Sequence, residues 1–302
     1  MWFWFAVIAL LCWSGSDLFS KIGCQDEKDK YSHLKMVTAV GIVMGLHAAY
    51  EIFIGGVEIN LSIILTYLPV SALYIVSMAV GYLGLRYIEL SISSPICNSS
   101  GAIVAVLTII TVGIGDEVPP VALVAVALVC IGVIGLGFTE ANEDEELRRA
   151  RQDESNRHYA KSWIAIFIPI VYCLLDALGT FADSRVLELI DEDSANVAYE
   201  LTFLAAGIGC LVYLLARREK FTFKAELPKY VGAACETVGQ LFYIYALADE
   251  EHVMMSAPII SAYCVASVLW SRLFLKEKLS WKHYLMIGFV VAGIVILGIY
   301  DI

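Results

Sequence analysis

Charge is scarce in this sequence: 17% of its 302 residues are charged, against 59% hydrophobic. Soluble domains carry about 25% charged and roughly 45–50% apolar residues, so this chain has too little polar surface to cover a water-exposed fold. Clustered metal ligands are missing too. The eight cysteines, at 12, 24, 97, 130, 173, 210, 235 and 264, form no CxxC or Cys/His grouping, which argues against a zinc site and for small buried hydrophobes over a disulfide framework. No Walker sequence, dinucleotide fingerprint, HExxH pair or catalytic triad occurs, so nucleotide drive and hydrolase chemistry lack the residues to perform them. The short alternating segments of a transmembrane barrel are absent as well. A cleavable leader is not expected, because the first 23 residues lack a basic start and a small-residue cleavage site, and Asp17 interrupts the apolar run.

What is present is a series of apolar runs of bilayer-spanning length, about 20 residues each. They lie near 2–22, 33–54, 62–86, 90–114, 119–139, 162–186, 195–216, 228–248, 252–275 and 281–300. Lipid offers backbone groups no partner, so each run must be helical. The expected class is an all-α integral membrane protein with ten transmembrane helices. The longest polar stretch, Glu140 to Lys161, divides it into a first five-helix repeat at 1–139, a charged cytoplasmic linker at 140–161, and a second repeat at 162–302. Of the 20 Lys and Arg residues, only Arg185 falls in the even-numbered set of connections. The positive-inside rule makes the basic face cytoplasmic and puts both termini outside a plasma membrane. The opposite loops are acidic, with Asp191-Glu192-Asp193 and Asp249-Glu250-Glu251.

The two halves share a pattern. Pro95 and Pro258 each sit in Ser-x-Pro-Ile, and the Gly132/Gly137 spacing recurs as Gly293/Gly298. A five-helix unit crosses the membrane an odd number of times, so two copies are inserted with opposite orientations. Inverted repeats of this kind characterise alternating-access transporters, with the substrate near the midplane between them.

Three stretches make the pattern specific: Trp13-Ser14-Gly15-Ser16 followed by Lys21; Leu85-Arg86-Tyr87 leading to Pro95; and Glu277-Lys278-Leu279-Ser280 leading to Gly288 and Gly293. With these the chain resembles a ten-helix, EamA-like member of the drug/metabolite transporter superfamily over nearly its whole length. It departs from the family pattern at Tyr172 to Asp176, where a tryptophan is common. The resemblance implies a transporter of amino acids or other metabolites, working without a cofactor.

Ionisable groups inside the runs are the site candidates, since an Asp at a helix centre costs about 2.5–3.5 kcal/mol on insertion scales. Asp176, with Tyr172 at i−4 and Asp183 at i+7 on its helical face, reads as a proton or cation site, or else as a structural hydrogen bond. Asp17 is one turn from Lys21 and one turn from Trp13, which suits either an i,i+4 ion pair or an organic cation held by charge and ring. Glu236, Gln240 and Tyr243 form a polar stripe on the eighth helix. Asn98 and Tyr263 follow Pro95 and Pro258, whose missing N–H groups allow a gating kink or merely a packing one. The candidates are therefore Asp176, Asp17 and Glu236 for protons or cations; Trp13, Asn98, Gln240, Tyr243, Tyr263 and Tyr172 for substrate; and Pro95 and Pro258 for gating. Tyr74 and Tyr82 read as core, Glu200 as solvated near the outer end of its helix, Trp2 and Trp4 as interface anchors, and Gly41/Gly45 as a close helix contact. The expected function is proton-coupled transport of a small cationic or zwitterionic metabolite, without nucleic acid or metal. A facilitator of neutral metabolites or a non-transporting assembly protein are the alternatives. A homodimer is also compatible.

Overall fold

The computed structural model describes residues 1–24, 29–85, 90–111, 113, 119–141, 163–275 and 279–300. Their regular structure is helical. In the first half lie α1 (Trp2–Cys24), α2 (Ser32–Tyr50), α3 (Leu61–Gly84), α4 (Leu90–Cys97), α5 (Ser100–Thr111) and α6 (Pro120–Ala141). In the second lie α7 (Trp163–Val186), α8 (Glu192–Ala216), α9 (Phe223–Leu247), α10 (Val253–Ser261), α11 (Tyr263–Phe274) and α12 (Trp281–Tyr300). The charged linker falls outside the described residues except for its first two positions, which end α6.

Side-chain polarity is inverted relative to a soluble protein. Phe53, Phe138, Leu46 and Val212 are exposed, whereas Ser14, Asn98, Thr180, Asp183 and Gln240 are buried. Only an apolar solvent makes that arrangement favourable, because water would drive the same groups the other way. Among the described residues eight helices are long and apolar enough to cross a membrane. The chain is a multi-pass membrane protein.

The helix ends differ from the sequence expectation in instructive ways. The acidic cluster at 191–193, expected as loop, starts α8: Asp191 is its N-cap and accepts from the Ser194 N–H at 2.9 Å. Acids are favoured there because they face unpaired N–H groups and the positive end of the helix dipole. The second span ends in a π-helical turn, Glu51–Gly55, stopped by Gly56 at φ 78°. The runs expected as single helices over 90–114 and 252–275 each break a few residues after their proline, at Asn98-Ser99 and at Ala262. Pro258 removes the donor that the Met254 carbonyl would otherwise meet, and the turn ends within the next four residues.

Packing follows a fixed scheme, with α1 lying along α9, α3 along α7, α2 along α8, α6 along α12, and α5 against α10. Glycines set the closest crossings. A Cβ at Gly41 would lie 2.7 Å from the Phe203 carbonyl oxygen and 2.9 Å from Gly207 Cα. Gly45 similarly receives Leu204, so the small pair on α2 does admit close approach. Gly132 on α6 lies against Met286 and Val290, and Gly293 on α12 lies against Ala125 and Val129. In both cases the residues met stand seven and three positions before the other glycine, so α6 and α12 run antiparallel with a reciprocal contact.

Ion pairs close the two ends. Lys35 reaches Asp29 at 2.9 Å and Glu226 at 3.7 Å, while Lys229 pairs with Glu226 at 2.9 Å. At the other end Glu200, expected to be solvated, is fully buried and bonded to His47 Nδ1 at 2.8 Å. A carboxylate there is tolerable because a partner lies on the adjacent helix. Trp4 is exposed as an interface anchor would be, but Trp2 is buried and stacks on His252 at 4.9 Å. It pins the start of α1 to the turn before α10. All eight cysteines are free.

Candidate functional site

One cavity opens between the halves, walled by residues of α1, α3, α4, α7, α8, α9, α10 and α11. The sequence candidates converge on it. Asp17, Asp176 and Glu236 line it, and so do Trp13, Asn98 and Tyr172. Gln240, Tyr243 and Tyr263 complete the set. Pro95 and Pro258 lie inside α4 and α10, helices that supply the wall, without lining the cavity themselves. Among the described residues the lining contains three carboxylates and no Lys, Arg or His. A carboxylate removed from water needs a cation, a proton or several hydrogen bonds beside it.

Each acid is partly provided for. Asp17 Oδ2 accepts from Ser94 Oγ at 2.5 Å and Ser267 Oγ at 2.7 Å, which joins α1 to α4 and α11. Lys21 Nζ is directed to the Leu85 carbonyl at 2.7 Å. Asp17 is therefore held by hydroxyls, and the helical i,i+4 pairing does not explain it. Asp176 Oδ2 accepts from Ser100 Oγ at 2.7 Å. Asn98 donates to the Ser94 carbonyl at 2.8 Å, bridging the break between α4 and α5.

Aromatic rings form the rest of the wall. The Trp13 ring lies 4.8 Å from Tyr243 and 5.8 Å from Tyr263, centroid to centroid. It fits because position 239 is glycine, where a Cβ would overlap the indole. On the opposite wall Tyr172 is seated in the same way on Gly81, whose Cβ would come within 2.8 Å of the ring. Trp13 stands four residues before Asp17, and Tyr172 stands four before Asp176. The fold thus builds two matching units, each an aromatic ring one turn from an acid and packed on a glycine from the other half.

Several residues here were not singled out from the sequence. Tyr74 and Tyr82, expected as core, line the cavity, as does Tyr199. Asp183 accepts from Tyr67 at 2.7 Å and Tyr74 at 3.3 Å, and Tyr74 in turn bonds to Tyr243. The available signal was its place on the helical face of Asp176 and Tyr172. Serines 94, 100 and 267 carried no signal, since small hydroxyl residues are frequent throughout these helices.

No curated protein matches the chain in sequence. A solved crystal structure of a protein superposes on it with a TM-score of 0.65 at 11% identity, covering 99% of this chain and 96% of that one. At that identity the likeness concerns the fold alone. Residues 163–299 match the model of the EamA-like transporter family. The matched segment runs from the first residue of α7 almost to the end of α12. The second half of this chain is thus similar to the EamA-like transporters, a family of small-molecule membrane transporters within the drug/metabolite transporter superfamily.

Proposed function

We propose that the protein is a secondary active transporter, moving a small cationic or zwitterionic metabolite across the cytoplasmic membrane by alternating access coupled to protons. The observation that carries this reading is the pair of matching units, Trp13 with Asp17 and Tyr172 with Asp176, facing one cavity from different halves. A ring face and a carboxylate together attract an organic cation. Two equivalent copies suit a site that opens alternately to each side.

In this reading Phe223–Leu247 and the shorter apolar helix Trp281–Leu297 join the eight apolar spans to make ten. The packing scheme supports two inverted repeats, because exchanging the halves maps each main helix contact onto another or onto itself. The pair α1·α9 becomes α7·α3 and α5·α10 becomes α11·α4, while α2·α8 and α6·α12 each return to themselves. The reciprocal glycine contacts of α6 and α12 support the same symmetry. With both termini outside, the Lys35–Glu226–Lys229 cluster lies at the cytoplasmic end. A homodimer remains compatible with the exposed apolar surface.

The test is uptake of labelled amine cations into proteoliposomes under an imposed pH gradient. Wild type accumulates the amine, and Asp176→Asn loses at least about tenfold in rate together with its pH dependence. Unchanged uptake and an unchanged pH profile in that variant would remove the assignment. The serine bonds of Asp17 and Asp176 favour a second reading, a facilitator of neutral metabolites with structural carboxylates. That reading requires uptake indifferent to the gradient.

A further inference from the structure

Three cavity-lining side chains carry buried hydrogen-bond donors without a partner: Trp13 Nε1, Gln240 Nε2 and the Tyr82 hydroxyl. Their positions are not scattered. Gln240 directly follows Gly239, the seat of Trp13, and Tyr82 directly follows Gly81, the seat of Tyr172. Gln240 and Tyr82 are 2% and 6% exposed. Each of the two matching units thus combines a ring face with a carboxylate one turn away, and the cavity they share holds three neutral donors left open.

Buried donors without partners are rare and costly, so they mark places where an acceptor binds. The acceptor's charge follows from its surroundings. Asp17 is one turn from Trp13 and Glu236 one turn from Gln240, a rise of about 6 Å. Among the described residues no basic side chain lines the cavity to offset a further anion. A carboxylate on the substrate would be repelled at that range, whereas a hydroxyl or amide oxygen would not.

We propose that the site selects organic cations bearing a neutral oxygen acceptor near the ammonium group, such as amino alcohols and amino amides, over plain alkylamines and over amino-acid zwitterions. The selection rests on the cation-binding reading given above and narrows it. Gln240 and Trp13 in one unit, and Tyr82 in the other, receive the oxygen, while Asp17 or Asp176 and the adjoining ring receive the ammonium.

Four probes sharing one branched skeleton test this on the purified, full-length protein: leucinol, leucinamide, isoamylamine and leucine, compared by calorimetric affinity. The expected order is leucinol and leucinamide about tenfold tighter than isoamylamine, the worth of one well-made hydrogen bond, with leucine weakest. Tyr82→Phe and Gln240→Met should each shrink the leucinol-to-isoamylamine ratio toward one. Trp13→Phe, which keeps a ring and removes only the N–H donor, should do the same. Unliganded melting temperatures confirm that each variant is folded. Equal binding of leucinol and isoamylamine by wild type would overturn the acceptor site while leaving cation binding intact, as would tighter binding of leucine. Failure of all three amines to bind would overturn both readings together.

Discussion

Asp183 accepts from tyrosines of α3, Tyr67 and Tyr74, and so one buried carboxylate ties α3 to α7. Replacing it by alanine leaves the Tyr67 hydroxyl without its acceptor, at a cost of about 1–3 kcal/mol, while Tyr74 keeps Thr180 and Tyr243. Asp183→Ala should therefore lower the unfolding temperature in detergent clearly, and Asp183→Asn, which retains an acceptor oxygen, should do so less. Equal, negligible shifts would show that the network contributes nothing. At the N-terminus of α8, Asp191 titrates differently. Partial burial raises its carboxyl, but the hydrogen bonds from the Ser194 N–H and hydroxyl outweigh that and hold it below the usual carboxylate range. A depressed folded value means the cap's contribution is present above the ordinary carboxylate range and is lost as pH falls through the folded one. Asp191→Ala should cost about 1 kcal/mol at neutral pH. The difference from wild type should fade in acid, followed by thermal unfolding as a function of pH. The acid could be read from its Asp-x-x-Ser spacing, but the sequence reading gave it to a loop because a charge run usually marks one.

At the scale of elements, the crossing of α2 and α8 depends on two glycines meeting. Gly41 faces Gly207 and the residue four before it; Gly207 faces Gly41 and the residues three and four before it. Gly41→Val would force a side chain against the Phe203 carbonyl and should destabilise by about 1–3 kcal/mol, the usual cost of overpacking. Gly209→Val on the partner helix α8, where a Cβ meets nothing within 4 Å, provides the control. Comparable melting temperatures for the two variants would refute close packing as the reason for Gly41. The small-residue spacing was legible beforehand because it is a local pattern along one helix. Its partner was not, since nothing in the spacing of Gly41 and Gly45 names α8 as the helix it meets. The same holds for the helix breaks. Each proline announced an irregularity, but whether it kinks or ends a helix depends on the packing of the next turn.

For the whole molecule, the two seats at Gly81 and Gly239 lie in different halves and serve one cavity. Gly81→Val and Gly239→Val should each displace the ring above them and depress transport by about tenfold or more, as expected when a positioning contact moves by about an ångström. A loss confined to one variant would count against equivalent halves. A reporter fused to the C-terminus should be active only outside the cell if the basic loops face the cytoplasm. The membrane class, the helical runs and the acids that line the cavity were legible in the sequence alone. Hydrophobic length and the cost of burying charge are properties of short segments, and they hold wherever the segment ends up. The departure at Tyr172 also looked in the sequence like a lost tryptophan, yet in three dimensions Tyr172 packs on Gly81 as Trp13 packs on Gly239. Only the tertiary structure decided that equivalence. It likewise decided that Tyr74 and Tyr82 face the cavity, that Glu200 has His47, and that Asp17 answers to Ser94 and Ser267 rather than to Lys21. The physical reason is the same in each case: a side chain's role is set by its neighbours on other helices, which lie 77 to 250 residues away for the Asp17 and Glu200 bonds.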